Sequence, residues 1–346
     1  MPNKVKFLFV TFGLSLTGGT VTFSQLSREL VHDGHDVKFL TIGDDYKGWF
    51  YDGVEVTAFP RLGGYTSSSK NLLNLARLAR ASEEADVKIA TSSMTPFPGV
   101  LARARLSVYY MQHYETLFYS NRFKRLVTLA GYRLPYHHIS NSTWLRERLN
   151  KVGVKSALVL PAIWYPQYFH PRNVEKATRP RVISLGRSDK IKGLSYLAKA
   201  MKVVRASIGD VELCLYGREP QLSSTIDCTY FTSPSYEELA VLNSTAHVSV
   251  CASLYESFPG PPLEAMACGT PVVTTRYGTE DFAFDGINSR VVPPGDWKSL
   301  ANSIIEILTN QNVAEQFRSE GLKTARQFTL EKTYSMFMDA INNARN

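Results

Sequence analysis

Two carboxylates stand eight residues apart in Glu256-Ser-Phe-Pro-Gly-Pro-Pro-Leu-Glu264, across a Pro/Gly turn that leads into LEAMAC and the strand-like run TPVVTT. A turn at the C-terminal end of a parallel strand, feeding a helix N-terminus, offers backbone N–H groups and partial positive charge to an anion. Glu256 then sits in the turn beside whatever binds there. Glu264, inside the helix, suits paired hydrogen bonds from vicinal hydroxyls such as those of a ribose. Pro259 has no N–H, so the cradle rests on Ser257, Phe258 and Gly260. Upstream, SLGRSDKIKG sets Arg187 and Lys192 five residues apart, two cations able to meet phosphate charge. In the first half Gly18-Gly19 falls between a strand and its helix, where glycine permits close approach to the backbone, although a plain strand-to-helix turn explains the pair equally well. His113 lies in VYYMQHYETLFY, and His137 and His138 read as structural.

The elements that must position these residues alternate. VKFLFVT (5–11), HDVKFLTIG (35–43), DVKIATS (86–92) and LSVYYM (106–111) read as short buried strands separated by amphipathic stretches, the βαβ pattern. The first helix shows Phe23, Leu26 and Leu30 on one face and stops at Gly34. A Pro- and aromatic-rich stretch, ALVLPAIWYPQYFHPRNVEKATRP (157–180), reads as a linker. Alternation restarts with RVISLG (181–186), VELCLYG (211–217), CTYFTS (228–233), HVSVCAS (247–253) and TPVVTT (270–275), and Ser235 with Glu238 forms a capping box for the helix between two of them. The expectation is an α/β chain of two Rossmann-like, doubly wound domains, 1–171 and 172–329. Thr329 would cap a last helix, about 330–346, with Tyr334, Phe337, Met338 and Ile341 on one face.

Composition narrows the partners. The 346 residues, 44% hydrophobic and 20% charged, suffice for two domains. Cys214, Cys228, Cys251 and Cys268 form no C-x-x-C pair, which excludes a zinc ribbon and a redox motif and fits reduced thiols in the cytoplasm. No run of 18 apolar residues could cross a membrane as a helix. FLFVTFGLSL imitates a signal-peptide core, but no small-x-small site follows, so it reads as a buried strand. The net charge of +8 favours anionic partners. No nucleic-acid module is present, which leaves phosphorylated small molecules or an anionic membrane surface. Residues 70–81 and 122–133 both read as basic amphipathic helices. Packing the leucine face into its own domain is the commoner use of such a helix, and peripheral contact with an anionic membrane is the other.

ESFPGPPLEAMACGTPVVTT resembles the E-x7-E signature of retaining glycosyltransferases of family 4, which have the GT-B fold. SLGRSDKIKG resembles the family's G-R-x4-K-G diphosphate segment, and NSRVVPPGD (288–296) the block that follows the signature. The likeness is continuous over about 181–300 and weaker in the first half. It implies two domains facing each other across a cleft, with a nucleoside-diphosphate sugar held mainly by the C-terminal one, the acceptor by the N-terminal one, and the last helix crossing back. Glu256 would contact the donor sugar, Glu264 the ribose, and Arg187 and Lys192 the leaving diphosphate. Gly18 and Gly19 would lie near donor and acceptor, and His113 would stand where many members carry a histidine facing the sugar. VYYMQHYETLFY also resembles a Q-D-Y-E-x-L-F-Y block of some bacterial cell-surface glycosyltransferases, with His113 in place of the acid. Ser257 and Pro259 replace the usual glycines, and Gly260 comes one position late.

The implied reaction moves a hexosyl residue to a glycan, lipid-linked or other surface-glycan acceptor by a front-face mechanism. No cofactor is implied beyond the sugar nucleotide, and no metal. The chain holds no Asp-x-Asp, the pattern by which glycosyltransferases of the other major fold hold a divalent ion. A same-fold sugar-nucleotide epimerase and a non-catalytic sugar- or nucleotide-binding protein are the rival readings; Arg187 and Lys192 argue against the latter.

Overall fold

The computed structural model describes residues 4–15, 17–43, 46–47, 50, 53–63, 68–92, 95–96, 103–163 and 166–345. Leu16, at the end of the apolar first run, and Trp164 and Tyr165 of the aromatic stretch lie outside them. The chain divides into two compact units, one of residues 1–162 and 330–346 and the other of 163–329.

The first unit is built on a sheet of β1 (Lys6–Val10), β2 (Asp36–Ile42), β3 (Glu55–Phe59), β4 (Ala85–Ala90), β5 (Ala104–Met111), β6 (His137–Ser140) and β7 (Ser156–Leu158). The strands are parallel and ordered β3-β2-β1-β4-β5-β6-β7. Four of the five residues of β1 are buried, as expected of a central strand covered on both faces. Its helices include α1 (Gly18–His32), α2 (Ser68–Ala81), α3 (Arg122–Tyr132) and α4 (Thr143–Asn150). Phe23, Leu26 and Leu30 of α1 are buried, and Phe23 meets Tyr110 of β5 edge-on at 5.2 Å. Strand β3 escaped the sequence reading because EVTAF is too short and too half-buried to stand out.

The second unit repeats the plan with β8 (Arg181–Leu185), α5 (Leu194–Ile208), β9 (Glu212–Gly217), β10 (Thr229–Thr232), α6 (Tyr236–Thr245), β11 (Val248–Cys251), α7 (Gly260–Ala267), β12 (Val272–Thr275), β13 (Arg290–Val292), α8 (Trp297–Thr309) and α9 (Gln311–Ala325). The parallel order is β10-β9-β8-β11-β12-β13. In each sheet the connections diverge at one pair of neighbours, β1/β4 and β8/β11, and ligands of doubly wound sheets bind beyond the carboxyl ends of such a pair. The capping box at Ser235 forms: its Oγ accepts from Glu238 N–H and the Glu238 carboxylate accepts from Ser235 N–H.

The boundary expected at 171/172 falls instead at 162/163. From Ile163 onward the stretch read as a linker is part of the second unit. Ile163 N–H donates to the Phe328 carbonyl (3.0 Å), Tyr168 stacks on Tyr236 (5.9 Å between centroids), Phe169 is buried, and Ala177 N–H donates to the Thr245 carbonyl. Proline and aromatic content without periodicity looks the same in a free linker and in a strap held by ring packing.

The last helix, α10 (Leu330–Arg345), belongs to the first unit. Phe337 is fully buried, 6.4 Å from the Phe7 ring and stacked 6.3 Å from Tyr110. Thr333 Oγ1 donates to the Leu160 carbonyl and the Tyr334 hydroxyl to Asp33. Phe337→Ala leaves a cavity against two strands and is expected to destabilise this unit by about 3–5 kcal/mol. Met338→Ala, at a half-buried position beside it, costs less. Denaturant midpoints of the two variants check the order.

Candidate functional site

The site residues of the second unit gather at the divergent pair β8/β11. After β8, Gly186 is hemmed in by Tyr230, whose ring would lie 2.7 Å from an added Cβ and whose hydroxyl donates to the Gly186 carbonyl (2.9 Å). The loop continues through a 3-10 turn, Lys190–Lys192, to Gly193, whose φ is 68°. A Cβ at Gly193 would come within 1.9 Å of the Ala252 carbonyl oxygen, so the loops after β8 and β11 can touch only with glycine here. Leu254 N–H donates across the same seam to the Ile191 carbonyl (2.7 Å).

That contact delivers Lys192 to Glu256. Lys192 Nζ donates to Glu256 Oε1 at 2.6 Å, and Ser253 Oγ donates to the same oxygen at 2.8 Å. The Glu256 side chain is only 12% exposed. Both bonds fall on Oε1, and among the described residues no hydrogen bond reaches Oε2. The turn is fixed from behind by Gly278, φ 84°, which packs on the Glu256 backbone where a Cβ would lie 2.4 Å from its carbonyl oxygen. Thr275 Oγ1 donates to the Ser253 carbonyl.

Arg187 does not join this pair. Its guanidinium lies 2.5 Å from Asp189 of its own loop, and both side chains are about half exposed. Such a surface pair is worth little, so the arginine is available to a more highly charged anion. Ser188 N–H donates to Glu219 Oε2 (3.0 Å), and Glu219 N–H to the Tyr230 hydroxyl (2.8 Å), so the loop carrying Arg187 is braced by residues after β9.

The backbone cradle is thinner than the sequence suggests. Helix α7 starts at Gly260 with Pro259 as its N-cap, so Pro261 and Pro262 also fall in the first turn. Of its first four N–H positions only Gly260 carries a donor. Ser257 is buried, and the Phe258 ring packs on Phe282 (5.3 Å) and Phe328 (5.7 Å), anchoring the turn to the core. Glu264 is 4% exposed in α7, and burial alone pushes its carboxyl up to about 8.

In the first unit, Gly18 and Gly19 are the first residues of α1. The Gln112 side chain occupies the space beside Gly19: a Cβ there would fall 1.4 Å from Gln112 Oε1, and Gln112 Nε2 donates to the Gly19 carbonyl (2.9 Å). A side chain at Gly19 would displace the Gln112 amide, which ties the start of α1 to the end of β5. His113, the next residue along, is exposed with its ring edge-on to Phe118 at 5.4 Å. His138 is buried beside Tyr109, and burial lowers its pKa, in keeping with a structural role. Among the described residues no group of three or more His, Cys, Asp and Glu is placed to hold a metal ion.

Sequence reading missed Ser253, Glu219, Tyr230 and Gln112. Ser253 carried a faint signal in its Ser-x-x-Glu spacing to Glu256, and Gln112 stands at the head of the QHYETLFY run; Glu219 and Tyr230 act through partners distant in sequence and carried none.

Residues 17–162 match the family model of the glycosyl transferase 4-like domain, and residues 179–310 that of glycosyl transferases group 1. Both units are glycosyltransferase domains. Over 170 residues the chain is 34% identical to MMP alpha-(1->4)-mannosyltransferase of Mycolicibacterium hassiacum, a match covering 45% of this chain and 41% of that protein. It is 29% identical over 150 residues to 2-deoxystreptamine N-acetyl-D-glucosaminyltransferase of Niallia circulans, covering 40% and 38%. The chain thus spans about two fifths of the length of the curated relatives it matches. The whole chain superposes on sucrose-phosphate synthase of Thermosynechococcus elongatus with a TM-score of 0.84 at 20% identity, covering 98% of this chain and 99% of that one. For HepE of Anabaena in complex with UDP-glucose the score is 0.80 at 16% identity, covering 98% and 100%. The fold is GT-B.

Glu264 gives these glycosyltransferase domains a pH dependence. Its ordinary value is 4.5, so between 4.5 and about 8 the folded state holds a proton that the unfolded state has released. Stability therefore falls as pH rises through that window, by up to about 1.4 kcal/mol per unit. Glu264→Gln is expected to flatten the fall of melting temperature between pH 6.5 and 8, where His35, His138 and His247, whose lowered values act below 6.5, contribute least. Parallel curves would mean that the carboxyl is already ionised in the folded protein.

Proposed function

We propose that this chain is a glycosyltransferase that moves a hexosyl residue from a nucleoside-diphosphate sugar to a glycan or lipid-linked acceptor, with retention and without a divalent ion. The observation that carries it is the Lys192–Glu256–Ser253 cluster at the divergent pair of the second sheet, within a chain whose two halves are glycosyltransferase domains. The relatives named above are a mannosyl- and an N-acetylglucosaminyltransferase, and HepE is seen with UDP-glucose.

Breaking a sugar–phosphate bond builds charge on the departing diphosphate, and fixed cations lower that barrier. Lys192 is held in place by Glu256, and Arg187 can leave Asp189 for the phosphates. Gly260 supplies the first-turn amide of α7, so charge recognition rests more on side chains here than on a helix N-terminus. Glu256 Oε2 accepts from a sugar hydroxyl, and Glu264 meets the ribose diol as a protonated acid that can both donate and accept. Gly18, Gly19 and His113 remain the first unit's candidates for sugar and acceptor contacts, on the strength of the family resemblance. In the step itself an acceptor hydroxyl oxygen bonds to the anomeric carbon on the face from which the phosphate oxygen leaves. Its proton passes to that oxygen.

Calorimetric titration of UDP, GDP and dTDP in EDTA tests the donor site. One nucleotide is expected to bind. Lys192→Ala should weaken it by about tenfold or more, the value of a charge-assisted contact, and Glu264→Ala should weaken it as well. No binding by any of the three would sink the reading, and an inverted anomer in the product would sink retention alone.

A further inference from the structure

Helix α3 is turned inside out. Phe123, Leu126, Val127 and Ala130 recur at i, i+3, i+4 and i+7, the spacing of a core-facing stripe, yet all four are exposed, Phe123 by 73% and Leu126 by 64%. The residues the helix buries are Thr128 and Tyr132 on the opposite side. Tyr132 alone provides a large anchor, 6.3 Å from Tyr109 and 5.7 Å from Tyr114. The preceding 3-10 turn, Glu115–Phe118, extends the apolar surface with exposed Leu117 and Phe118. The sequence expectation that such a face packs into its own domain is therefore overturned for 122–133. For 70–81 the outcome is mixed: Leu75 and Leu78 of α2 are buried while Leu72 is exposed.

Charge selects the occupant. Between Glu115 and Glu147 the chain holds no Asp or Glu, and Arg122, Lys124, Arg125 and Arg133 are all exposed on α3 or at its end. Arg122, Lys124 and Arg125 make no ion pair among the described residues. A protein partner covering an apolar stripe would need its own matching acids, whereas an anionic lipid surface takes apolar side chains below the headgroups and cations at their level with no further matching. These cations are all exposed, and long arginine and lysine stems allow the charges to reach the phosphates while the rings insert.

We propose that α3 and the 3-10 turn before it form a docking surface for an anionic lipid bilayer, with Phe123, Leu126 and Val127 inserted and Arg122, Lys124 and Arg125 against the headgroups. The surface stands independently of the glycosyl-transfer reading. It also touches it, because Phe118 of the turn packs on His113, the first unit's candidate sugar contact. A lipid-anchored acceptor would thus arrive beside that residue.

Co-sedimentation with phosphatidylcholine vesicles, with and without phosphatidylglycerol, tests the proposal on the full chain. Binding is expected to anionic vesicles at low salt and to be lost at high salt. Arg122→Glu with Arg125→Glu should reduce partition by more than about tenfold, since each cation near an anionic surface contributes about a fivefold factor. Phe123→Ser with Leu126→Ser should reduce it to the level of neutral vesicles while leaving the melting temperature and the nucleotide affinity unchanged. Leu72→Ser with Leu73→Ser on α2 should retain binding. Failure of the wild-type chain to bind anionic vesicles would overturn the proposal, as would loss of binding in the α2 variant alone. So would a concentration-dependent dimer in sedimentation that disappears in the α3 variants, which would make the face a self-association surface.

Discussion

The second unit depends on one close approach, that of the loops after β8 and β11 at Gly193 and Ala252. A side chain at that glycine would drive the loops apart and carry Lys192 away from Glu256. With the approach made, a carboxylate 12% exposed keeps a cation and a hydroxyl on one oxygen. Removing either partner would leave a largely desolvated charge, which is far more costly than the modest net gain from forming the pair. Such a pair supplies position more than stability. It holds an ammonium group at a fixed point beside the divergent pair, with Ser253 as a second donor to the same Glu256 oxygen.

Around that pair the environment is set by what has been taken away. Three prolines in or before the first turn of α7 strip out the amides that a helix N-terminus would normally offer, and Phe258 is committed to the core. Glu264 has been removed from water, and that burial pushes its carboxyl up to about 8. The two carboxylates of the motif are therefore different groups: one accepts hydrogen bonds from a lysine and a serine, the other is an acid that burial keeps neutral near pH 7. Desolvation without a compensating cation produces the second.

The first unit shows the same division between support and function. Its sheet is closed on one side by α10, which returns from the far end of the sequence to place Phe337 against Phe7 and Tyr110. Gln112 presses on Gly19 and so joins the start of α1 to the end of β5, next to His113. Helix α3 contributes little to this core and turns its largest apolar residues outward. A helix that buried them would gain hydrophobic stabilisation, so their exposure is a cost that calls for a partner.

Much of this was legible in the chain. Period-two and buried runs announced most strands, the Ser-x-x-Glu box marked α6, the apolar face of the last helix was readable, and Glu256, Glu264, Arg187 and Lys192 stood out by type and spacing. These are local signals, because alternation, capping and turn chemistry are written within a few residues. Tertiary structure decided what depends on partners distant in sequence. It paired Lys192 with Glu256 but left Arg187 on Asp189, added Ser253 and Glu219, tied Gly19 to Gln112, and moved the unit boundary to 162/163 by ring packing of a stretch that reads as a linker. Most tellingly, it separated two basic amphipathic patterns, burying Leu75 and Leu78 while exposing Phe123 and Leu126. A sequence specifies which residues share a helix face, but which way that face turns is set by the surface offered by the rest of the fold.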